Sequence, residues 1–173
     1  MRIFILLSLL SLSFSGPSFA ERAIAELGGT EPGSLITGSV TFEEIETEQG
    51  LSVNVQVMNV PDGKHGFHIH EGMSCDNKGA DAGGHFNPDS VQHGHVPKDG
   101  LAAAHPGDFG NIEVKDGSGS MQLKLTHLTL KEGKYGILDR TVILHEKEDD
   151  FGQPTGNAGG RIACGMIKSP EPE

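Results

Sequence analysis

The strongest restriction on the fold is a series of short apolar runs separated by turn signals, in a chain without sustained helical periodicity. In the clearest run, 51–60, the apolar residues Leu51, Val53, Val55 and Val57 alternate with polar ones. A period of two is typical of a strand with one buried face. Similar runs occupy 23–27, 38–45, 66–70, 111–114, 121–130, 140–145 and 161–167. About eight short strands predict an all-β, antiparallel sandwich or barrel.

The segment 71–110 differs from these runs because it is rich in Gly, Asp and His and has almost no apolar periodicity. A loop of this length inside a compact domain is usually either functional or disordered. Its histidine content favours a function.

The first twenty residues have the pattern of a secretory signal. Arg2 precedes an apolar run over 3–14, Pro17 breaks that run, and small residues stand at Ser18 and Ala20. The run is shorter than the roughly 20 apolar residues of a membrane span. We therefore expect a cleaved signal peptide over 1–20, a single domain over 21–173, and no membrane insertion after cleavage.

The charge of the chain restricts its partners. The formal net charge is −11, and removal of Arg2, the one charged residue of the signal segment, makes it −12. Such acidity opposes binding to nucleic acid. The sequence contains no Asn-x-Ser/Thr sequon, which favours a bacterial periplasm. We expect an exported, periplasmic protein, with an extracellular location as the alternative.

Cys75 and Cys164 are the two cysteines of the chain. An even number of cysteines in an exported protein predicts that they form a disulfide. The alternative is a pair of free, buried thiols.

The histidines are spaced in a way that suggests a metal site. His68 and His70 stand two positions apart in a predicted strand, so both imidazoles project from one face. The alternative for this pair alone is two surface histidines on a half-exposed strand. Further candidate ligands follow in the long loop and at the end of a later strand: His85, His93, His105, Asp108 and His145. Imidazole is a ligand for copper and zinc, and three histidines with one carboxylate suit tetrahedral zinc.

Five segments carry a resemblance to a known family. They are Gly-Phe-His-Ile-His-Glu at 66–71, Gly-His-Phe-Asn-Pro at 84–88 followed by His93-Gly94, His-Pro-Gly-Asp-Phe-Gly-Asn at 105–111, Leu-His-Glu-Lys-Glu-Asp-Asp at 144–150, and Gly-Asn-Ala-Gly-Gly-Arg-Ile-Ala-Cys-Gly at 156–165. In this order they resemble the copper–zinc superoxide dismutases, and we expect an exported, bacterial-type member. The resemblance implies an eight-stranded Greek-key barrel with a long metal-binding loop and a short electrostatic loop between His145 and Arg161.

The resemblance also implies a role for each site residue. Copper would be bound by His68, His70, His85 and His145. Zinc would be bound by His85, His93, His105 and Asp108. His85 would then be a bridging imidazolate and a catalytic group, Arg161 would dock the anionic substrate, and Asp149 would hydrogen-bond His68 and His93.

The implied function is the dismutation of superoxide to dioxygen and hydrogen peroxide. The alternative is a periplasmic copper-binding protein on the same fold with little turnover. His95 is the rival of His105 as a zinc ligand, and we prefer His105 because the pattern His-x-x-Asp matches. His65 and His95 are interpreted as bystanders, and His127 as a solvated or hydrogen-bonded histidine in a polar-alternating strand. The resemblance allows a homodimer.

Overall fold

The computed structural model describes residues 21–131 and 133–170, and in them eight antiparallel strands close into a barrel. The strands are β1 (Arg22–Gly29), β2 (Thr37–Glu44), β3 (Leu51–Met58), β4 (Gly63–His70), β5 (Asp108–Lys115), β6 (Ser118–Leu125), β7 (Thr141–His145) and β8 (Arg161–Met166). A short helix, α1 (Val96–Asp99), and a 3₁₀ turn at Ala80–Ala82 lie between β4 and β5. The predicted all-β class is confirmed, and the predicted signal segment lies outside the described residues.

The order of the strands around the barrel is β1-β2-β3-β6-β5-β4-β7-β8. β3 lies beside β6, and β4 lies beside β7, so the chain crosses over between strands that are not consecutive. This is the predicted Greek-key arrangement. The barrel closes where Gly28 pairs with Cys164 and Gly29 with Ala163.

The core is formed by the inward-facing residues of the strands. On β3 the alternating residues Leu51, Val53, Val55 and Val57 are each at most 1% exposed, as the sequence pattern predicted. The largest fully buried side chains include three from β2, β4 and β5, namely Phe42, Phe67 and Phe109. Burial of one such side chain contributes about 1.5–3 kcal/mol, which makes the core the main source of stability.

β6 is shorter than predicted, because it ends at Leu125 and not at Leu130. Leu125 pairs with Leu51, which is the first residue of β3, so the ladder has no partner strand beyond this point. Leu128 and Leu130 are still buried, but they reach the core from an irregular segment. Their apolar character therefore predicted burial correctly, but it did not indicate a strand.

Two connections bring loops to the outside of β4. The connection 71–107 between β4 and β5 packs over β4, where every residue from His65 to His70 is buried. The connection 146–160 between β7 and β8 is the short loop expected from the sequence. A disulfide between Cys75 and Cys164, with an S–S distance of 2.03 Å, ties the first connection to β8. The predicted pairing of the two cysteines is confirmed.

Candidate metal centre

Four histidines meet on the outside of the barrel. His68 and His70 come from one face of β4, His145 ends the neighbouring strand β7, and His85 comes from the connection after β4. One ring nitrogen from each lies within 4.8 Å of the other three, and all four residues are buried. We call this set the first ligand group.

Backbone carbonyls orient two rings of the first ligand group. His70 Nδ1 donates to the Gly83 carbonyl at 2.9 Å, and His145 Nδ1 donates to the Gly159 carbonyl at 3.3 Å. A carbonyl oxygen only accepts, so both protons are assigned to Nδ1. The two Nε2 atoms, 3.4 Å apart, therefore point their lone pairs toward the same space.

A second ligand group of three histidines and one carboxylate lies beside the first. Asp108 Oδ1 is 2.8 Å from His85 Nδ1 and 3.1 Å from His105 Nδ1. Asp108 Oδ2 is 2.8 Å from His93 Nδ1. The four ligand atoms lie within 4.8 Å of one another, and all four residues are buried. This donor set and its convergence are typical of a structural zinc site.

His85 belongs to both groups. Its Nδ1 faces Asp108 in the second group, and its ring lies 4.2 Å, centroid to centroid, from the ring of His68 in the first group. Because Nδ1 is directed to one group, Nε2 is left for the other. A single imidazole is thus placed to contact two cations.

Asp149 connects the two groups through hydrogen bonds. Its carboxylate accepts from His68 Nε2 at 2.7 Å and from His93 Nε2 at 3.0 Å. His68, His93 and Asp149 also lie close enough together to be considered as a third metal site. Hydrogen bonds already use these nitrogens, so we interpret the trio as the support that orients two ligands.

Asn111 holds Asp149 in turn, and sequence reasoning missed it. Asn111 Nδ2 donates to the Asp149 carbonyl at 2.9 Å, and the Asp149 amide donates to Asn111 Oδ1 at 2.7 Å. The Phe151 amide adds a hydrogen bond of 2.8 Å to the Asp149 carboxylate. Asn111 is the last residue of the motif at 105–111, but nothing in that motif indicates its hydrogen bonds to Asp149.

The buried nitrogens indicate that the donor sets fit metal ions. Among the described residues, His68 Nδ1 and His93 Nδ1 are buried nitrogens without a hydrogen-bond partner. His93 Nδ1 approaches Asp108 Oδ2 without hydrogen-bond alignment, as expected of two ligands aimed at one point. An unpaired buried polar atom is costly, and a metal ion at each position would satisfy it.

Burial disfavours the protonated form of three rings of the first ligand group, those of His70, His85 and His145. It lowers the pKa of His70 well below its usual range. It also lowers the pKa of His145 to about 3 and the pKa of His85 to about 4, with neighbouring histidines adding to the effect. Neutral imidazoles present the lone pairs that copper and zinc require.

The second ligand group contains negative charge. Burial alone would raise the pKa of Asp108, but the hydrogen bonds from His105 and His85 and the close approach of the His93 ring outweigh it and hold that pKa well below its usual range. Burial likewise opposes protonation of His93, but the nearby carboxylates of Asp108 and Asp149 outweigh it and raise the pKa of His93 to about 9. The carboxylates therefore make this pocket attractive to a cation.

Arg161 begins β8 directly opposite His145 in the ladder. Its Nη1 donates to the carbonyls of Gly79 and Ala80, and its Nη2 donates to the Gly83 carbonyl at 2.5 Å. Three hydrogen bonds use at most three of the five guanidinium N–H groups. At least two guanidinium donors therefore take no part in these three hydrogen bonds.

Comparison with known proteins decides the family. Residues 36–167 match the family described as copper/zinc superoxide dismutase (SODC). The extracellular superoxide dismutase (Cu-Zn) of Drosophila melanogaster is 40% identical over 156 residues, covering 84% of this chain and 84% of that protein. The protein of the same name from Caenorhabditis elegans is 37% identical over 177 residues, covering 96% and 78%. The crystal structure of the clock protein EA4 superposes with a TM-score of 0.77 at 35% identity, covering 91% of this chain and 100% of that one.

The chain belongs to the copper/zinc superoxide dismutase family. Membership of this family confirms the predicted enzyme class and the predicted copper and zinc cofactors. The Drosophila melanogaster and Caenorhabditis elegans relatives are both named as extracellular, so they do not support the expectation of a bacterial-type, periplasmic member. Within the described residues, no helix has the length and apolarity needed to cross a membrane.

The three histidines left out of the predicted ligand sets, His65, His95 and His127, lie outside both ligand groups of this dismutase. His65 is 2% exposed, and its two ring nitrogens lie 2.9 Å from the His145 carbonyl and 2.8 Å from the Pro61 carbonyl. His95 stacks on Phe151, and His127 Nε2 contacts the Pro106 carbonyl, beyond the end of β6. His65 therefore has a structural role that the sequence did not reveal.

Proposed function

We propose that this chain dismutes superoxide with copper bound by the first ligand group, His68, His70, His85 and His145, and zinc bound by the second, His85, His93, His105 and Asp108. Two superoxide anions and two protons give one dioxygen and one hydrogen peroxide. The observation that carries the proposal is the shared position of His85 between two buried donor sets, with Arg161 paired opposite His145.

When bound, copper supplies the one-electron oxidation and reduction that the two halves of this reaction need. The histidines of β4 and β7 fix the geometry, because the ladder pairs these two strands, with His68 opposite Ile143 and His70 opposite Thr141, and His145 ends the second of them. Hydrogen bonds to backbone carbonyls hold the Nδ1 protons of His70 and His145 away from the ligand positions. The site is therefore organised by the sheet.

His85 is suited to move a proton during turnover. Its Nδ1 is directed to Asp108 and the second group, which leaves Nε2 facing the first group. With a cation held by each ligand group, the His85 ring would stay deprotonated at both nitrogens, and Nε2 would be free to bind a proton whenever it is not a ligand. The released proton would serve the formation of peroxide. We propose His85 Nε2 as the proton carrier for this reason.

Arg161 is proposed to dock the superoxide anion. Its backbone is opposite His145, and its guanidinium is fixed by the carbonyls of Gly79, Ala80 and Gly83. A guanidinium stays charged at neutral pH and offers a fork of donors. Because the chain has a net charge of −11, attraction of an anion has to come from local positive charge such as this.

We also propose that the protein is exported and acts outside the cell. The predicted signal peptide over 1–20 and the extracellular relatives support export. A mature protein of residues 21–173 follows from this proposal. Association into a homodimer remains a prediction.

The test is the superoxide dismutation rate of residues 21–173 loaded with copper and zinc, measured by pulse radiolysis. We expect a rate near the diffusional ceiling of about 10⁸–10⁹ M⁻¹s⁻¹. Arg161→Ala should lower this rate while both metals stay bound. If the rate of the protein with both metals bound is no higher than that of free copper, the catalytic proposal is refuted and the protein is a copper-binding protein.

A further inference from the structure

The connection between β1 and β2 contacts the backbone of Arg161. Thr30 follows directly after β1 and is half-buried. Its amide donates to the Ile162 carbonyl at 3.1 Å, and its Oγ1 donates to the Arg161 carbonyl at 2.5 Å. Arg161 is 131 residues away in sequence, so this contact exists only because the barrel closes between β1 and β8.

Arg161 lies where the ladder between β7 and β8 is irregular. Leu144 pairs with Ala163, but the next residue, His145, pairs with Arg161, so Ile162 is an extra residue. Irregularities of this kind interrupt the ladder and redirect a side chain. Thr30 binds both carbonyls of this short segment and thereby fixes its direction.

The guanidinium end of Arg161 is bound by a segment with an unusual backbone. Asn77, Lys78 and Gly79 have positive φ angles of 52°, 56° and 77°. For a residue with a Cβ this conformation is unfavourable, and it persists only when surrounding contacts hold it. The segment ends with Gly79, whose carbonyl accepts a hydrogen bond from Arg161.

Thr30 also lies beside this segment. A Cβ built on Gly79 would lie 3.3 Å from Thr30 Cγ2 and 3.4 Å from Arg161 Cδ, so the three residues are packed together. The next residue of the hairpin, Glu31, pairs with Lys78 at 2.7 Å. That ion pair is exposed and contributes little energy, but it shows that the two loops meet here.

We propose that Thr30 is a positioning residue for Arg161. Its hydroxyl fixes the Arg161 backbone, and its methyl group lies beside Gly79. The guanidinium donors that do not bind carbonyls are thereby directed to an anion beside the first ligand group. The inference rests on the proposed function, because it requires Arg161 to dock an anion.

The experiment measures azide affinity of the copper- and zinc-loaded protein, residues 21–173, from the copper(II) EPR spectrum during titration. Thr30→Val removes the hydroxyl and keeps the shape, and it should weaken azide binding by about three- to tenfold. Thr30→Ser restores the hydroxyl and should stay within about twofold of the unchanged protein. Thr37→Val, at an exposed position of β2, is the matched control and should bind azide as the unchanged protein does.

Further variants separate the possible failures. If Arg161→Ala binds azide normally, the proposed docking role of Arg161 is wrong. If Arg161→Ala weakens azide but Thr30→Val does not, only the inference on Thr30 is overturned. A changed metal content or azide-free EPR spectrum in Thr30→Val would also overturn it, since Thr30 would then act on the ligands. Should the valine variant not fold, Thr30→Ala replaces it with the same expected weakening.

Discussion

Replacing Cys75 and Cys164 together by alanine would remove the covalent link between the β4–β5 connection and β8. The two cysteines are 89 positions apart in sequence. The bond limits the freedom of the unfolded chain, and the chain-entropy relation gives a loss of about 4.6 kcal/mol for a loop of this length. Domains of this kind have about 5–15 kcal/mol of stability, so the loss would remove a large share of it.

The measurement is urea unfolding of the metal-free protein and of the double variant, followed by circular dichroism under oxidising conditions. Metal-free protein is needed because bound ions would add their own stabilisation to the folded state. The free energy of unfolding of the double variant should be lower by about 4–5 kcal/mol. Because Cys164 is 5% exposed, loss of its sulfur contacts contributes a smaller additional part.

A control separates the bond from the side chains. The unchanged protein, reduced and kept reduced during unfolding, loses the bond but keeps both sulfur atoms. Its free energy of unfolding should agree with that of the double variant to within about 1 kcal/mol. A loss below about 1.5 kcal/mol in both samples would refute the reasoning, since the bond would then not restrict the unfolded chain as assumed.

The same double variant should also weaken the hydrogen bonds that position the Arg161 guanidinium. The disulfide anchors the segment whose carbonyls, at Gly79 and Gly83, bind the guanidinium. Without the anchor these acceptors lose their fixed position, and azide binding to the copper- and zinc-loaded variant should weaken. Unchanged azide affinity would show that the strained segment keeps its shape without the bond.

Two further substitutions test the metal centre. A Cβ on Gly156 would lie 1.9 Å from Asp149 Oδ1, so Gly156→Ala should displace that carboxylate and lower metal affinity about 10–100-fold in chelator competition. Gly33→Ala has a similar φ of 82° and no atom within 4 Å of the new Cβ, so its metal affinity should be unchanged. His105→Ala should lose zinc, measured as bound metal after dialysis, whereas His95→Ala should retain it. The reverse result would mean that His95 is the ligand.

Sequence reasoning succeeded where a pattern is local. All eight strands overlap with predicted apolar runs, and on β3 the run alternates because one face of the strand is buried. It failed at the end of β6, where Leu128 and Leu130 are buried without strand structure. It also gave no sign of α1, since four residues make a single turn and cannot show a helical period.

There is a physical reason why the residues that hold Asp149 and Arg161 in place could not be predicted from the sequence. Asn111 binds Asp149 across 38 positions of sequence, and Thr30 binds Arg161 across 131. Contacts between residues so far apart in sequence produce no local spacing pattern. Thr30 stands next to a turn-rich segment, where a threonine has no special meaning. Only the closed barrel brings these residues to their partners.

The two ligand groups differ in what holds them in place. In the first group, His68, His70 and His145 belong to paired strands, so backbone hydrogen bonds of the barrel set their positions. In the second group, His93 and His105 belong to the long connection, which has few apolar anchors of its own. The sheet therefore forms most of the first site by itself, whereas the second depends on Asp108 and Asp149 to draw loop histidines together. A cation bound in the second group would complete this arrangement and, through His85, fix the geometry of the first.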